Sequence, residues 1–174
     1  MSPLKFTHAL LVLGLLAGPS AHAQTADVAM SARFAQAMCA AWNADAGLTD
    51  KLVESGWVSN DAGRGFKAMQ IYRSDCPKSA RIEMQIALKD NKAQCTYGGV
   101  AKTAQLDGKV DYLMWADTPR WREMGAGDLG PMRAMMFGHL NFEGPKMEAM
   151  GNMGPFGGFL LLVGKVPGDW AACP

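Results

Sequence analysis

The cleanest periodicity in the chain lies between residues 80 and 89, where Ala80, Ile82, Met84, Ile86 and Leu88 alternate with Arg81, Glu83, Gln85 and Lys89. A period of two is that of an antiparallel strand with one buried face and one solvent face. Residues 66–73 before it and 93–100 after it are its expected hairpin partners, joined through Asp75-Cys76-Pro77 and Asp90-Asn91, which turn the chain readily. Residues 110–116, after the Asp107-Gly108 turn, form a fourth strand. Residues 139–143 form a fifth, with Leu140 and Phe142 inward.

Elsewhere the apolar positions recur at helical spacing. Met30, Phe34, Ala37, Met38, Ala41 and Trp42 make one stripe that ends among the turn formers at 43–47. A second short helix is expected at 48–56, capped by Thr49 or Asp50 and stopped by Gly56, before a polar loop at 59–65. Thr118-Pro119 reads as N-cap and first helical position of a helix carrying Trp121 and Met124 and stopped by Gly125. Residues 131–138 carry Met132, Met135 and Met136 on one face, and Pro145 opens another helix with Met147, Met150 and Met153. Residues 156–163 are apolar without a deciding period, and Gly151, Gly154, Gly157 and Gly158 suggest a hinge before them. The pattern predicts an α+β fold: a five-stranded, mainly antiparallel sheet with helices packed on one face.

The amino terminus changes the picture of where this domain works. Lys5, the apolar run at 9–18 and Ala21-His22-Ala23 have the form of a secretory signal peptide, with cleavage expected after Ala23. The expected organisation is a signal at 1–23, an N-terminal helical segment at 24–65, and a binding region at 66–174 that forms one domain with it. Loss of Lys5 takes the formal net charge from +1 to zero, which removes any electrostatic case for nucleic acid. Export to the periplasm or beyond would let Cys39, Cys76, Cys95 and Cys173 form two disulfides, in any of three pairings. No C-x-x-C pair is present, so thioredoxin, haem-attachment and zinc-ribbon motifs are missing.

Catalytic constellations are also missing. The pairs Asp111 with Asp117 and Glu143 with Glu148 read as caps and solvated charges, and His139 is the only imidazole beyond residue 23. Methionine, by contrast, is abundant: 13 in the chain, with Met124, Met132, Met135, Met136, Met147, Met150 and Met153 crowded together. Flexible thioethers suit a wall that fits irregular apolar ligands. A second reading takes Met147-x-x-Met150-x-x-Met153 as soft ligands for Cu(I).

The order of features from 110 to 166 resembles the sterol carrier protein type two family: a strand, a Thr-Pro-x-x-Trp helix start (Thr118, Pro119, Trp121), the passage Phe137-Gly138-His139-Leu140-Asn141-Phe142-Glu143-Gly144, and an apolar final helix. The likeness spans roughly residues 66–165. It implies a sheet and helices enclosing an apolar tunnel, binding of a sterol, fatty acid or similar lipid, and no catalysis or cofactor. It also allows transient contact with a membrane or transporter. A signal peptide, four cysteines and the methionine content depart from the usual pattern. The candidate lining is Leu113, Trp115, Trp121, Met124, Met132, Met135, Met136, Phe137, Leu140, Phe142, Met147, Met150, Phe156, Phe159 and Leu160. Arg120, Arg122 and Arg133 are candidates for an anionic head group.

Overall fold

A computed structural model describes residues 26–174; the expected signal peptide lies outside them. Five strands form one sheet in the order β3-β2-β1-β4-β5: β1 Lys67–Arg73, β2 Ile82–Lys89, β3 Lys92–Val100, β4 Tyr112–Ala116 and β5 Asn141–Glu143. All neighbours are antiparallel except β1 and β4, which run parallel, so the sheet is mixed but mostly antiparallel as expected. The β2–β3 turn is the foreseen Asp90-Asn91, and both residues adopt positive φ, the conformation of a tight primed hairpin turn.

The helices are α1 Ala32–Asn43, α2 Ala46–Thr49, α3 Lys51–Glu54, α4 Thr118–Ala126, α5 Pro131–Met136, α6 Lys146–Gly151 and α7 Met153–Lys165, with a 3-10 turn at Trp57–Ser59. Several expectations shift. In α1 the buried stripe uses Ala35, while Ala37 is exposed. The single helix expected at 48–56 is two short ones, begun by Asp45, whose carboxylate accepts from Gly47 N. The cap of α4 is Asp117, which accepts from Arg120 N, so Thr118 is already helical. That helix runs on to Gly127 in the left-handed conformation. The glycine run is no hinge: Gly154, Gly157 and Gly158 sit inside α7, which resolves residues 156–163 as helix.

Gly125, expected to end α4, instead permits a crossing. A Cβ on Gly125 would lie 2.7 Å from Gly164 N, and one on Gly164 only 2.2 Å from Gly125 O. Backbone touches backbone there, and α7 is set down over the sheet as the roof of the core. The core itself joins Phe34, Met38 and Trp42 of α1 to Met69, Ile82, Met84, Ile86 and Met114 of the sheet and Phe159, Leu160 and Val163 of α7. Cys39–Cys95 ties α1 to β3 and Cys76–Cys173 ties the β1–β2 connection to the C-terminal tail. Closing loops of this length stabilises by about 4 kcal/mol each in the chain-entropy model.

The alternation of β2 holds, but its polar face is not wet. Glu83 is fully buried. Its carboxylate accepts from Gln70 Nε2 (2.9 Å), Gln85 Nε2 (2.7 Å), Lys102 N (3.2 Å), Thr103 N (2.9 Å) and Thr103 Oγ1 (2.8 Å). The segment after β3 is thereby stapled across the outer face of the sheet. Burial pushes the Glu83 pKa up, but the donors from Thr103, Gln70 and Gln85 outweigh it and hold the group below its ordinary value of 4.5. Asp111, expected beside a turn in solvent, is buried too, clamped by Arg64 Nη1 (2.9 Å) and Nη2 (2.6 Å) and by the amides of Ala68 and Asp107.

Three outcomes follow for stability. Gly164→Ala forces α4 and α7 apart and should lower urea stability by about 1–3 kcal/mol. Gly157→Ala, whose new methyl would meet only the Pro131 ring at 3.8 Å, should gain about 0.5–1 kcal/mol. A depressed carboxylate pKa lends stability that is complete above about pH 4.5 and drains away as pH falls below it. Urea midpoints across this range should therefore fall with acid in the native protein and fall less in Glu83→Gln, which starts from a lower midpoint because an amide cannot accept all five bonds.

Candidate functional site

The apolar positions of α5, β5, α6 and α7 meet the sheet edge at two adjacent spaces. The first is a small inner cavity of about 30 Å³, walled by Trp42, Leu52, Trp57, Met69, Tyr112, Ala149, Asn152, Pro155, Phe156 and Phe159. The second is a groove of about 430 Å³, lined by Met132, Met135, Met136, Gly138, Leu140, Asn141, Phe142, Lys146, Met150 and Met153. A thin aromatic partition separates them. Phe142 of β5 stands edge-on to Tyr112 at 5.4 Å and 6.0 Å from Phe156, whose ring stacks in turn near Phe159 at 6.4 Å.

Local sequence explains the placement. Gly138 takes φ 68° after α5, which reverses the chain so that Leu140 and Phe142 return toward the core beneath the α5 methionines. Asn152 closes α6 through Nδ2 to Glu148 O (2.9 Å), and α7 begins at once, with Phe156 and Phe159 on its buried side.

The expected lining residues divide into groups. Met132, Met135, Met136, Leu140, Phe142 and Met150 come together in the groove, and Phe156 and Phe159 line the inner cavity. Trp121, Met124 and Leu160 are buried in the core and border neither space. Leu113 and Trp115 project from the other face of β4, where Trp115 stacks on Tyr72 at 5.7 Å. Phe137 and Met147 are exposed, at 66% and 78%. The Met147/Met150/Met153 trio is thus split: Met150 and Met153 face the groove and Met147 does not border it. Arg120 pairs with Glu123 at 2.7 Å, and Arg122 and Arg133 are on the surface. Arg122 borders an open depression of about 620 Å³ between α4, α7 and Trp170, together with Glu123 and Asp128. Those flanking carboxylates make that depression a poor seat for an anion.

Sequence reasoning missed the inner wall from Trp42, Leu52, Trp57, Met69 and Tyr112, and with it a buried polar cluster. Lys67, with no side-chain exposure, places Nζ 2.5 Å from Glu148 Oε1. Tyr112 OH donates to the same oxygen at 2.5 Å and accepts from Trp57 Nε1 at 2.8 Å, while Asn60 Nδ2 donates to Glu148 Oε2 at 2.6 Å. Burial pulls the Lys67 pKa below its ordinary value, more than the hydrogen bond and charge of Glu148 raise it. Burial, reinforced by the bond and charge of Glu148, holds the Tyr112 hydroxyl far above its usual value, so it stays a donor. One signal was available: Lys67 falls in phase with Met69 and Ile71 on the inward side of β1.

A helix-roofed, mostly antiparallel sheet with an apolar groove beside its short edge strand is the architecture at hand. The chain belongs to the SCP-2 sterol transfer family, whose model matches residues 60–157. That span begins after α1 and ends early in α7, so Cys39 and Cys173 lie outside it. Among solved structures, one described as a crystal structure of sterol carrier protein 2 is similar at 18% identity and TM-score 0.51, covering 79% of this chain and 98% of that one. A conserved hypothetical protein from Thermus thermophilus, described as possibly a sterol carrier protein, gives 18% identity and TM-score 0.49, covering 83% and 96%. The apo sterol carrier protein 2 of Yarrowia lipolytica gives 14% and 0.40, covering 82% and 98%. At such identities the first of these likenesses speaks for the fold alone. No curated protein matches the sequence.

Because Phe142 divides groove from cavity, Phe142→Ala should merge them and raise the uptake of an environment-sensitive apolar dye, at a cost of about 3 kcal/mol in stability or less, the ring being only partly buried. Trp115→Ala, on the far face, should leave dye uptake unchanged; fluorescence titration of the two variants checks both.

Proposed function

We infer that this chain is an exported lipid carrier that holds an apolar ligand, such as a sterol or fatty acid, between α7, β5 and the α5–α6 methionines and passes it on through an aqueous space. The observation that carries the reading is the groove of about 430 Å³ beside a small apolar cavity, with Phe142 of the groove wall 6.0 Å from Phe156 of the cavity wall. Its volume is in the range of small-ligand sites, and its wall of thioethers can repack around different shapes. Membership of a sterol transfer family supports the same conclusion. The pairing of Cys39 with Cys95 and Cys76 with Cys173 supports an oxidising compartment, in keeping with the signal-peptide form of residues 1–23.

Binding of this kind needs no chemistry from the protein. Burial of an alkyl chain yields about 25 cal/mol per Å², so a few hundred Å² suffice for micromolar affinity once the losses on association are met. Met136 and Met150 stand exposed at the groove beside Lys146, and the same short elements expose Phe137 and Met147 outside it, a surface suited to touching the one that gives or takes the lipid.

Native mass spectrometry of the mature protein from its export compartment should show a co-purifying lipid, and the protein should accelerate movement of a fluorescent lipid between vesicles. The double change Phe137→Asp and Met147→Asp, at exposed positions that do not line the groove, should slow that transfer severalfold while leaving the affinity for the lipid in solution unchanged. A protein that binds no lipid and accelerates no transfer would overturn the reading.

A further inference from the structure

The polar chemistry that an apolar carrier does not require is gathered in one place, behind the wall of the inner cavity. Lys67 Nζ and the Tyr112 hydroxyl both donate to a single oxygen, Glu148 Oε1, each at 2.5 Å. Two donors converging on one oxygen make a carboxylate receptor. Trp57 Nε1 fixes the hydroxyl by donating to it at 2.8 Å, and the Lys67 ammonium lies 4.4 Å from the Trp57 ring centroid and 5.4 Å from that of Tyr112. These two rings wall the cavity, so the receptor lies directly behind that wall, with Lys67 and Glu148 outside the present lining.

The carboxylate that fills the receptor does not come from the sheet. It comes from α6, six residues long, with Met147 and Met150 exposed and Ala149 as its one buried residue. Ala149 and the following Asn152 also form one side of the cavity. At about 30 Å³ the cavity is too small for a lipid chain, so a ligand reaches it only by moving a wall. Of the walls, α6 and α3 each have one buried side chain, and that of α6 is only an alanine; moving α6 withdraws Glu148. A lysine left buried without a counter-charge is strongly unfavourable. A neutral ligand cannot repair that loss, whereas an acid can.

We propose that Lys67 and Tyr112 are the head-group receptor of the carrier and that Glu148 occupies it in the closed molecule as a stand-in for the ligand. The preferred cargo is then a long-chain carboxylic acid, whose head replaces Glu148 while its tail passes Phe156 and Phe142 into the methionine groove. The exchange swaps one ion pair for another: the ligand enters as carboxylate, Glu148 leaves to water as carboxylate, and no proton is transferred. The proposal rests on the carrier reading and adds the head group to it.

The test is a matched pair with one tail, oleic acid and methyl oleate, titrated into the full mature chain. The native protein should hold the acid at least about tenfold more tightly than the ester, the worth of one charge-assisted bond. Lys67→Met should bring that ratio close to one with the ester affinity little changed, and Tyr112→Phe should lower the ratio partway. Glu148→Gln, which removes the competing charge, should strengthen acid binding severalfold and leave the ester as it was. Circular dichroism of each variant confirms that it is folded, and the Tyr112 and Glu148 variants keep the test sound if Lys67→Met is not. Equal binding of acid and ester by the native protein, or an acid preference that survives in Lys67→Met, would overturn the proposal while leaving the carrier intact. Binding of neither ligand would instead remove the carrier reading on which it stands.

Discussion

Strand β1 lies in the middle of the sheet, and its polar side chains have nowhere wet to go. Lys67, Gln70 and Arg73 are all buried, and burial obliges each to find a partner on some other element. Lys67 takes Glu148 of α6. Gln70 takes Glu83 of β2 and the carbonyl of Thr103. Arg73 donates to Thr118 Oγ1 of α4 and to the carbonyls of Ala172 and Trp170. Three pieces that hydrophobic burial alone would leave loosely placed, the short helix α6, the segment after β3 and the C-terminal tail, are located by these obligations. Among the described residues no buried side-chain polar atom is left without a partner.

The consequence for the site is an asymmetry in how its walls are held. On one side stand strands β1 to β4, α1 and α7, bound by the core, by the Gly125–Gly164 crossing and by two disulfides. On the other stand α5, β5 and α6, short elements whose methionines are largely at the surface. Local opening draws on elements with few buried contacts. The lightly anchored wall and the frame meet at the aromatic partition of Phe142 and Phe156 and, among the described residues, at one ion pair, Lys67 with Glu148. A ligand that enters must deal with both, one apolar and one charged.

Membership of the SCP-2 sterol transfer family is consistent with the fold and with the groove, and it says less about what distinguishes this chain. Three features of this chain bear on the proposed carrier: the methionine wall, α1 with its disulfide to β3, and the buried cation.

Much of this was legible in the sequence because it is local. The period of two at 82–89, the Asp90-Asn91 turn, the Pro131 and Pro145 helix starts and the clustering of methionines all depend on neighbours within a few residues, and each appears where expected. The α+β class, the five strands and six groove residues followed from them. What the sequence could not express is which face of an element meets which other. A two-residue period says that Glu83 and Met84 point oppositely, but not that a later segment covers Glu83, nor that Leu113 and Trp115 lie on the far side of the sheet from the methionines. An acid at a helix start looks solvated until a lysine 81 positions away is brought against it. Periodicity and turn chemistry act through bonded neighbours and so are written along the chain; the receptor, the partition and the disulfide pairing are contacts between distant segments, fixed only when burial brings those segments together.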